Sequence, residues 1–399
     1  MHAQIASPDW SAIRDQFPVL SHRCYLNTGA VGPVSAEAAA ASALYYQWCG
    51  EAGEPAADRW RPEVERCRIA VAELVNARPF EIGFVPNTSM ALNCAALLFE
   101  GPGAVLTARG EHPSVVVPWH ARGLRVDKAE PDRNGKFTPD CYERALRPDT
   151  QIIAISHVRY NDGQVNDLAA IGALARSRGL HLVVDAIHCA GMIPLDVGVG
   201  IDVLGFGGFK WLNAGHGSGA IFVRDGLIDR YGLPMAGRRS RATDALVEID
   251  GLDALNQARA FELGSVAVGS VMALGASLQL LKRLGPDRIR ERVRALTERF
   301  RNGLRAISLE TATDELGAKL TPIVSVLVTD ADRVAAQLAD QNIIAAPRGG
   351  YLRISISWYN NDEDIDRCLN ALASLAASYR PRCGRLASDE VLPRTDGQL

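Results

Sequence analysis

Between residues 80 and 224 short apolar runs alternate with segments of helical period, and few folds are open to a chain written this way. The strand candidates are 81–86, 104–108, 151–158, 181–185, 202–206 and 219–224. Several are apolar throughout, as a strand covered on both faces must be. Helix candidates lie at 35–49, 63–76, 89–99, 139–146 and 168–178, the last stopped by Gly179, where a left-handed C-cap forms. Repeated β–α units predict an α/β fold with a mostly parallel sheet. From residue 266 the pattern changes to two long helices, 266–284 and 286–307. Strand-like 323–328, 343–346 and 352–357 follow, interleaved with helices, which predicts a smaller α+β unit. The expected division is an N-terminal segment 1–24, a large domain 25–265, a small C-terminal domain 266–380 and a tail 381–399 of little periodic hydrophobicity.

With 399 residues, 47% of them hydrophobic, both units can bury a core. Forty-three Lys and Arg against 46 Asp and Glu leave a net charge of −3, so no global basic field draws the chain to nucleic acid or anionic lipid. The expected partner is a small molecule. The arginine-rich stretch 283–305 keeps Ile289, Val293, Leu296 and Phe300 in one apolar stripe, the pattern of a solvated helix face. Eight cysteines stand singly, with no Cys-x-x-Cys and no zinc-ligand spacing, so neither a disulfide framework nor a metal is signalled. Reduced thiols and the lack of a signal-peptide pattern in residues 1–10 make the cytoplasm the expected compartment. No window approaches 18 uncharged apolar residues, so no membrane span is expected.

The chemistry concentrates in VVDAIHCAG and GFGGFKWLNAGHGSGAIFV, which lie within residues 183–223. Asp185 ends a strand candidate, a costly place for a carboxylate unless a cation or donor meets it. Lys210 sits between Phe209 and Trp211; alone, such a lysine usually snorkels to water. As a pair they mean more. A buried lysine of lowered pKa condenses with an aldehyde as a Schiff base, and an aspartate at the next strand end can keep a pyridinium nitrogen protonated. Both are needs of pyridoxal phosphate, and open α/β sheets bind ligands at the carboxyl ends of their strands. Thr88 and Ser89 follow a strand and open a helix, which suits a phosphate and equally a plain N-cap. Arg353, in the strand LRIS, is misplaced unless a carboxylate meets it.

Eight ordered motifs carry a family likeness from about residue 25 to 372: YLNTGAVGP, PNTSMALN, EHPSVVVPW, SHVRYNDG, VDAIHCAG, GGFKWLNAGHG, FELGS and YLRISISWYNNDEDID. With them the chain resembles the class V, cysteine-desulfurase-like branch of fold-type I pyridoxal-phosphate enzymes, which includes isopenicillin-N-epimerase-like proteins and kynureninases. The resemblance implies a seven-stranded, mostly parallel sheet with a smaller α+β C-terminal domain, pyridoxal 5′-phosphate as cofactor and Lys210, His112 and Asp185 as catalytic residues. His112 would stack on the pyridine and shuttle protons. His188 stands where relatives often carry a Gln bonded to the phenolic oxygen, its plain alternative being a satisfied core histidine. Arg353 would clamp the substrate α-carboxylate, assisted by Asn27. Ser265 matches a residue that reaches the phosphate of the neighbouring subunit, implying a homodimer with sites at its interface.

Departures narrow what the likeness carries. Gly207 and Phe209 replace a Ser and a His that relatives use as phosphate ligands, so the phosphate cup must lean on Thr88, Ser89 and Ser265. Tyr160 falls where an Asn is expected, with Asn161 and Asp162 beside it, and Ala260 replaces an Arg. The connection IIAAPRGGYLRIS leaves no room for the cysteine-bearing loop that desulfurases use as persulfide acceptor. The expectation is therefore an enzyme acting at the α-carbon of an amino acid, with carbon–sulfur β-elimination from a cysteine-type or S-conjugated substrate favoured. Amino-group transfer, epimerisation and decarboxylating deamination stay open. A cofactor-sensing regulator would need a DNA-binding region that the residues before Tyr25 cannot hold, and GFGGFK is not the G-x-G-x-x-G of a nicotinamide dehydrogenase.

Overall fold

A computed structural model describes residues 8–99, 101, 103–243, 251–312 and 321–376; the expected tail 381–399 lies outside them. The strands are β1 (Cys24–Tyr25), β2 (Ile82–Phe84), β3 (Ala104–Ala108), β4 (Arg125–Ala129), β5 (Thr150–Ser156), β6 (His181–Asp185), β7 (Val203–Gly207), β8 (Gly219–Val223), β9 (Ile323–Val326), β10 (Ile343–Ile344), β11 (Ala346–Arg348) and β12 (Tyr351–Ser355).

Seven of them form one sheet in the order β2-β8-β7-β6-β5-β3-β4, parallel throughout except β8, which opposes both neighbours. This is the α/β fold the alternation predicts. Residues of β5 alternate between two apolar layers: Ile153 and Ile155 join Leu182, Val184, Leu204 and Phe206, while Ile152 and Ala154 join Val183 and Val203. Helices cover both faces, so the central positions of these strands must be apolar on both sides. The edge strand β4, reading RVDKA, was not expected as a strand: its charged, half-exposed residues break the apolar signal, as an unpaired edge requires. The helix Pro113–Ala121 was missed because Pro118 lies inside it, and the helix Ala57–Val75 starts before the expected 63 because Pro62 masks its first turns.

The second unit is a three-stranded antiparallel sheet, β11-β12-β9, backed by the helices Pro286–Ala306, Ala331–Asp340 and Asp362–Ala376. The expected strand 343–346 divides into β10 and β11. Gly349 and Gly350, at φ 57° and 82°, make the two-residue turn between β11 and β12. Positive φ at both central residues is what such a hairpin demands and what glycine supplies. Cys24 and Leu26 pack into this unit's core with Phe300, Val324, Leu338, Ile354 and Leu372. β1 pairs in parallel with β10, and the Ser355 N–H donates to the Leu26 carbonyl at 2.7 Å. The division expected at residue 25 thus runs through a segment shared with the C-terminal unit. In Pro286–Ala306 the stripe Ile289, Val293, Leu296 and Phe300 is buried, while Arg294 and Arg299 pair with Glu298 and Asp366 at the surface. No helix among the described residues is long and apolar enough to cross a membrane.

Candidate active site

The strands β5, β6 and β7 end side by side at Ser156, Asp185 and Gly207, and Ser156 pairs with Asp185 in register. Asp185 is 3% exposed and its Oδ1 accepts the Ile187 N–H at 2.9 Å. Burial pushes its carboxyl upward, the Ile187 N–H and Lys210 oppose this, and Glu111 adds repulsion. Lys210 follows β7 by three residues and is 9% exposed. The N-terminal loop closes on this segment: the Gly32 N–H donates to the Phe209 carbonyl at 2.8 Å, and a Cβ on Gly32 would overlap the Lys210 carbonyl. Burial pulls the Lys210 ammonium far below its ordinary range; Asp185 resists, while Arg353 and Arg348 reinforce the fall.

Lys210 Nζ stands 2.9 Å from His188 Nε2. His188 is held neutral by burial and by the Lys210 charge. An ammonium donating to Nε2 leaves the ring hydrogen on Nδ1, which has no partner among the described residues. His112 caps the helix Pro113–Ala121, its Nδ1 accepting the Ser114 N–H at 3.2 Å, so the neutral ring carries its hydrogen on Nε2. Burial, with Lys210, Arg348 and Arg353, drives its pKa down to about 4. Its ring meets the Tyr160 ring edge-on at 5.2 Å.

Asn87 caps the helix Thr88–Leu98, accepting the Met90 N–H at 2.9 Å. Thr88 is therefore the first helical residue and no cap; its hydroxyl is buried without a partner among the described residues, at the positive end of an 11-residue helix. Ser89 is exposed, its hydroxyl 2.8 Å from that of Ser114. Arg353, 2% exposed, gives one nitrogen to the Tyr160 carbonyl at 2.8 Å and leaves Nε and Nη2 without a partner among the described residues. Burial, with Arg348, brings its pKa down to about 10. Asn27 Oδ1 is likewise buried without a partner, and Asn27 bridges to Ser355 on β12.

The strand ends therefore gather Lys210, His188, Asp185 and His112, with Arg353 coming from the second unit. Ser265 is not brought to them within one chain: it lies exposed just after the turn Ala258–Glu262. Phe209 stacks on His216 at 4.5 Å. Asp162 pairs with Arg159 at 3.1 Å, and Asn161 Oδ1 accepts the Asp162 N–H at 2.9 Å. Two residues near the site escaped sequence reasoning. Glu111 is buried, accepting the Ser156 N–H and hydroxyl at 3.0 and 2.7 Å and the His112 N–H at 3.2 Å. Its place in EHPS, immediately before His112, was the available signal. Arg348 was overlooked although PRGG marks a hairpin.

The set fits pyridoxal phosphate on observations of this chain alone. An orphaned hydroxyl at a helix N-terminus suits a phosphate, a buried carboxylate at the strand end suits a pyridine nitrogen, and an amine of lowered pKa suits an aldehyde. Fold and site thus define a fold-type I pyridoxal-phosphate enzyme. Sequence comparison agrees and narrows this: the chain belongs to the aminotransferase class-V family, whose family model matches residues 30–368. It is 29% identical over 325 residues to an uncharacterized aminotransferase of Bacillus subtilis, YcbU, covering 79% of this chain and 85% of that one. The fold matches an apo cysteine desulfurase from Thermococcus onnurineus NA1 at TM-score 0.85 and 24% identity, covering 94% of this chain and all of that one, 100%. It also matches the cystine C–S lyase C-DES, seen with its product cysteine persulfide, at TM-score 0.84 and 23% identity over 90% and 99% of the two chains.

Proposed function

We propose that this enzyme catalyses carbon–sulfur β-elimination from a cysteine-type or S-conjugated amino acid, releasing a thiol. The observation that carries this reading is the Gly349–Gly350 turn: where the family's desulfurases need a loop long enough to present an acceptor cysteine, this chain has two residues. Every described cysteine is buried or half-buried, and burial raises the thiol pKa of Cys24, Cys67, Cys94, Cys189 and Cys368, the reverse of what a sulfur acceptor needs. A departing sulfur therefore leaves with the small molecule.

The pyridoxal phosphate, when bound, supplies the electron sink on which the family's chemistry depends. Thr88 and Ser89 hold the phosphate side, Asp185 keeps the ring nitrogen protonated and His188 donates through its free Nδ1–H. Arg353 and Asn27 receive the α-carboxylate, the guanidinium offering two unpartnered nitrogens. Lys210, its ammonium destabilised by burial, removes the α-proton. His112, neutral with its hydrogen on Nε2, donates a hydrogen bond to the leaving sulfur, and the proton that Lys210 took from Cα is passed on to that sulfur. The net change is balanced: the S-substituted cysteine and one water give a thiol, pyruvate and ammonia. Ser265 reaches the phosphate of a second subunit in a homodimer, and the cytoplasm, with its reduced thiols, is the compartment.

Incubating the holoenzyme with S-substituted cysteines and assaying thiol, pyruvate and ammonia tests this reading. Equal yields of the three are expected. Amino transfer to a 2-oxo acid without thiol release would overturn it in favour of an aminotransferase, as its relative YcbU is named.

A further inference from the structure

The small sheet has two chemically different faces. Arg353 lies opposite Ala346 on one side and Ser325 on the other, and Tyr351 lies opposite Arg348. Directly opposed residues share a face, as do alternate residues along a strand. Arg348, Tyr351, Arg353, Ser355 and Ser325 therefore stand on one face, while Leu352, Ile354, Val324 and Val326 stand on the other and fill the small core. The polar face is turned to the large sheet: Arg353 donates to the Tyr160 carbonyl at 2.8 Å and Ser325 to the Asn161 carbonyl at 2.5 Å. The tight Gly349–Gly350 turn fixes Arg348 diagonally across from Arg353, a separation of roughly 7–8 Å between such positions.

We propose that Arg348 is a second anion receptor of the substrate pocket, so that the preferred substrate carries a further carboxylate on the group attached to its side-chain sulfur. Arg353 already offers its free fork to the α-carboxylate. Arg348 is exposed, and no described residue forms a hydrogen bond or ion pair with it. Its charge reaches the pocket, since it lowers the pKa of Lys210, His112, His188 and Arg353 alike. The pocket's own carboxylates are engaged elsewhere, Glu111 with Ser156 and the His112 N–H, Asp185 with the Ile187 N–H at the opposite end. An unanswered cation beside a closed set of acids selects an anion from solution.

The inference rests on the proposed C–S lyase reading for the sulfur, though not for the second charge, and the test separates the two. The holoenzyme is titrated with S-carboxymethyl-L-cysteine and with its neutral isostere S-carbamoylmethyl-L-cysteine, affinity being read from the cofactor absorbance and pyruvate release measured apart. A charge-assisted pair is worth roughly 1.5–3 kcal/mol, so the carboxylate should bind about 10–150-fold more tightly. Arg348→Gln should bring that ratio close to one, and Arg348→Lys should restore part of it. The preference without pyruvate release would keep Arg348 as receptor and remove the elimination reading; pyruvate release without the preference would do the opposite. Equal affinities, absence of an absorbance change with either compound, or a ratio unchanged in Arg348→Gln would each overturn the proposal.

Discussion

Two arginines are buried to nearly the same degree, Arg68 at 3% exposure and Arg353 at 2%, and their surroundings differ completely. Arg68 donates to Glu262 at 2.6 Å, to Glu65 at 3.0 Å and to the Ile82 carbonyl at 2.8 Å, and it lies 4.7 Å from the Phe84 ring centre. Burial works against its charge, yet Glu262 and Glu65 raise its pKa above the ordinary value. Arg353 has one carbonyl and no carboxylate, so burial and the Arg348 charge lower its pKa with only the Tyr160 phenol resisting. A buried cation whose partners come from its own chain holds the fold together. One left short of partners weakens the fold, and the proposed substrate carboxylate would supply the missing partner.

Lys210 extends the Arg353 side of this contrast, and replacing it should have the largest effect. Lys210→Ala should abolish the borohydride-fixable cofactor adduct and cut turnover by about 10²–10⁴-fold from lost proton transfer alone, with no loss of melting temperature. Retained turnover with a fixable adduct would break the contrast. Arg68→Met should strand Glu262 and cost about 3–5 kcal/mol of stability, seen as a lower calorimetric midpoint, and adding Glu262→Leu should recover part of it. Arg353→Gln should do the reverse, leaving the midpoint unchanged or raised while the free energy of substrate capture weakens by about 2–5 kcal/mol, read in kcat/KM.

A pH experiment sharpens the comparison further. Because the folded pKa of His112, about 4, lies below its ordinary 6.5, the unfolded chain binds more protons between those values. Stability of the cofactor-stripped protein should therefore be full above pH 6.5 and fall as pH drops toward 4, less steeply in His112→Gln. Equal slopes would show that burial of this ring carries no linkage. The smallest effect is expected at the surface, where Lys282 meets Glu73 at 2.7 Å with both side chains more than half exposed. Lys282→Ala should leave the midpoint within error of the parent.

The sequence shows what burial forces it to show. Strands β5 to β8 were legible because helices on both faces leave no central position for polar residues, and Lys210 and Asp185 stood out as charges inside that apolar text. Edge strand β4 was hidden by its own charges. β1 was hidden because two residues carry no periodicity and their partners lie more than 300 positions away, at Ile343–Ile344. The orphaned hydroxyl of Thr88 became distinct from an ordinary cap only when Asn87 was seen to occupy that role. EHPS and PRGG mark where Glu111 and Arg348 stand, but their roles depend on a neighbouring strand end and on strand register, which local sequence does not record.

The pairing of β1 with β10 also dictates an order of manufacture. The loop that follows β1 carries Asn27 to β12 and Gly32 to the Lys210 segment, yet its anchor strand lies more than 300 residues further along the chain. Contacts of such sequence separation form late. The segment from Cys24 to Gly32 therefore takes its place only once the C-terminal unit is available to receive it.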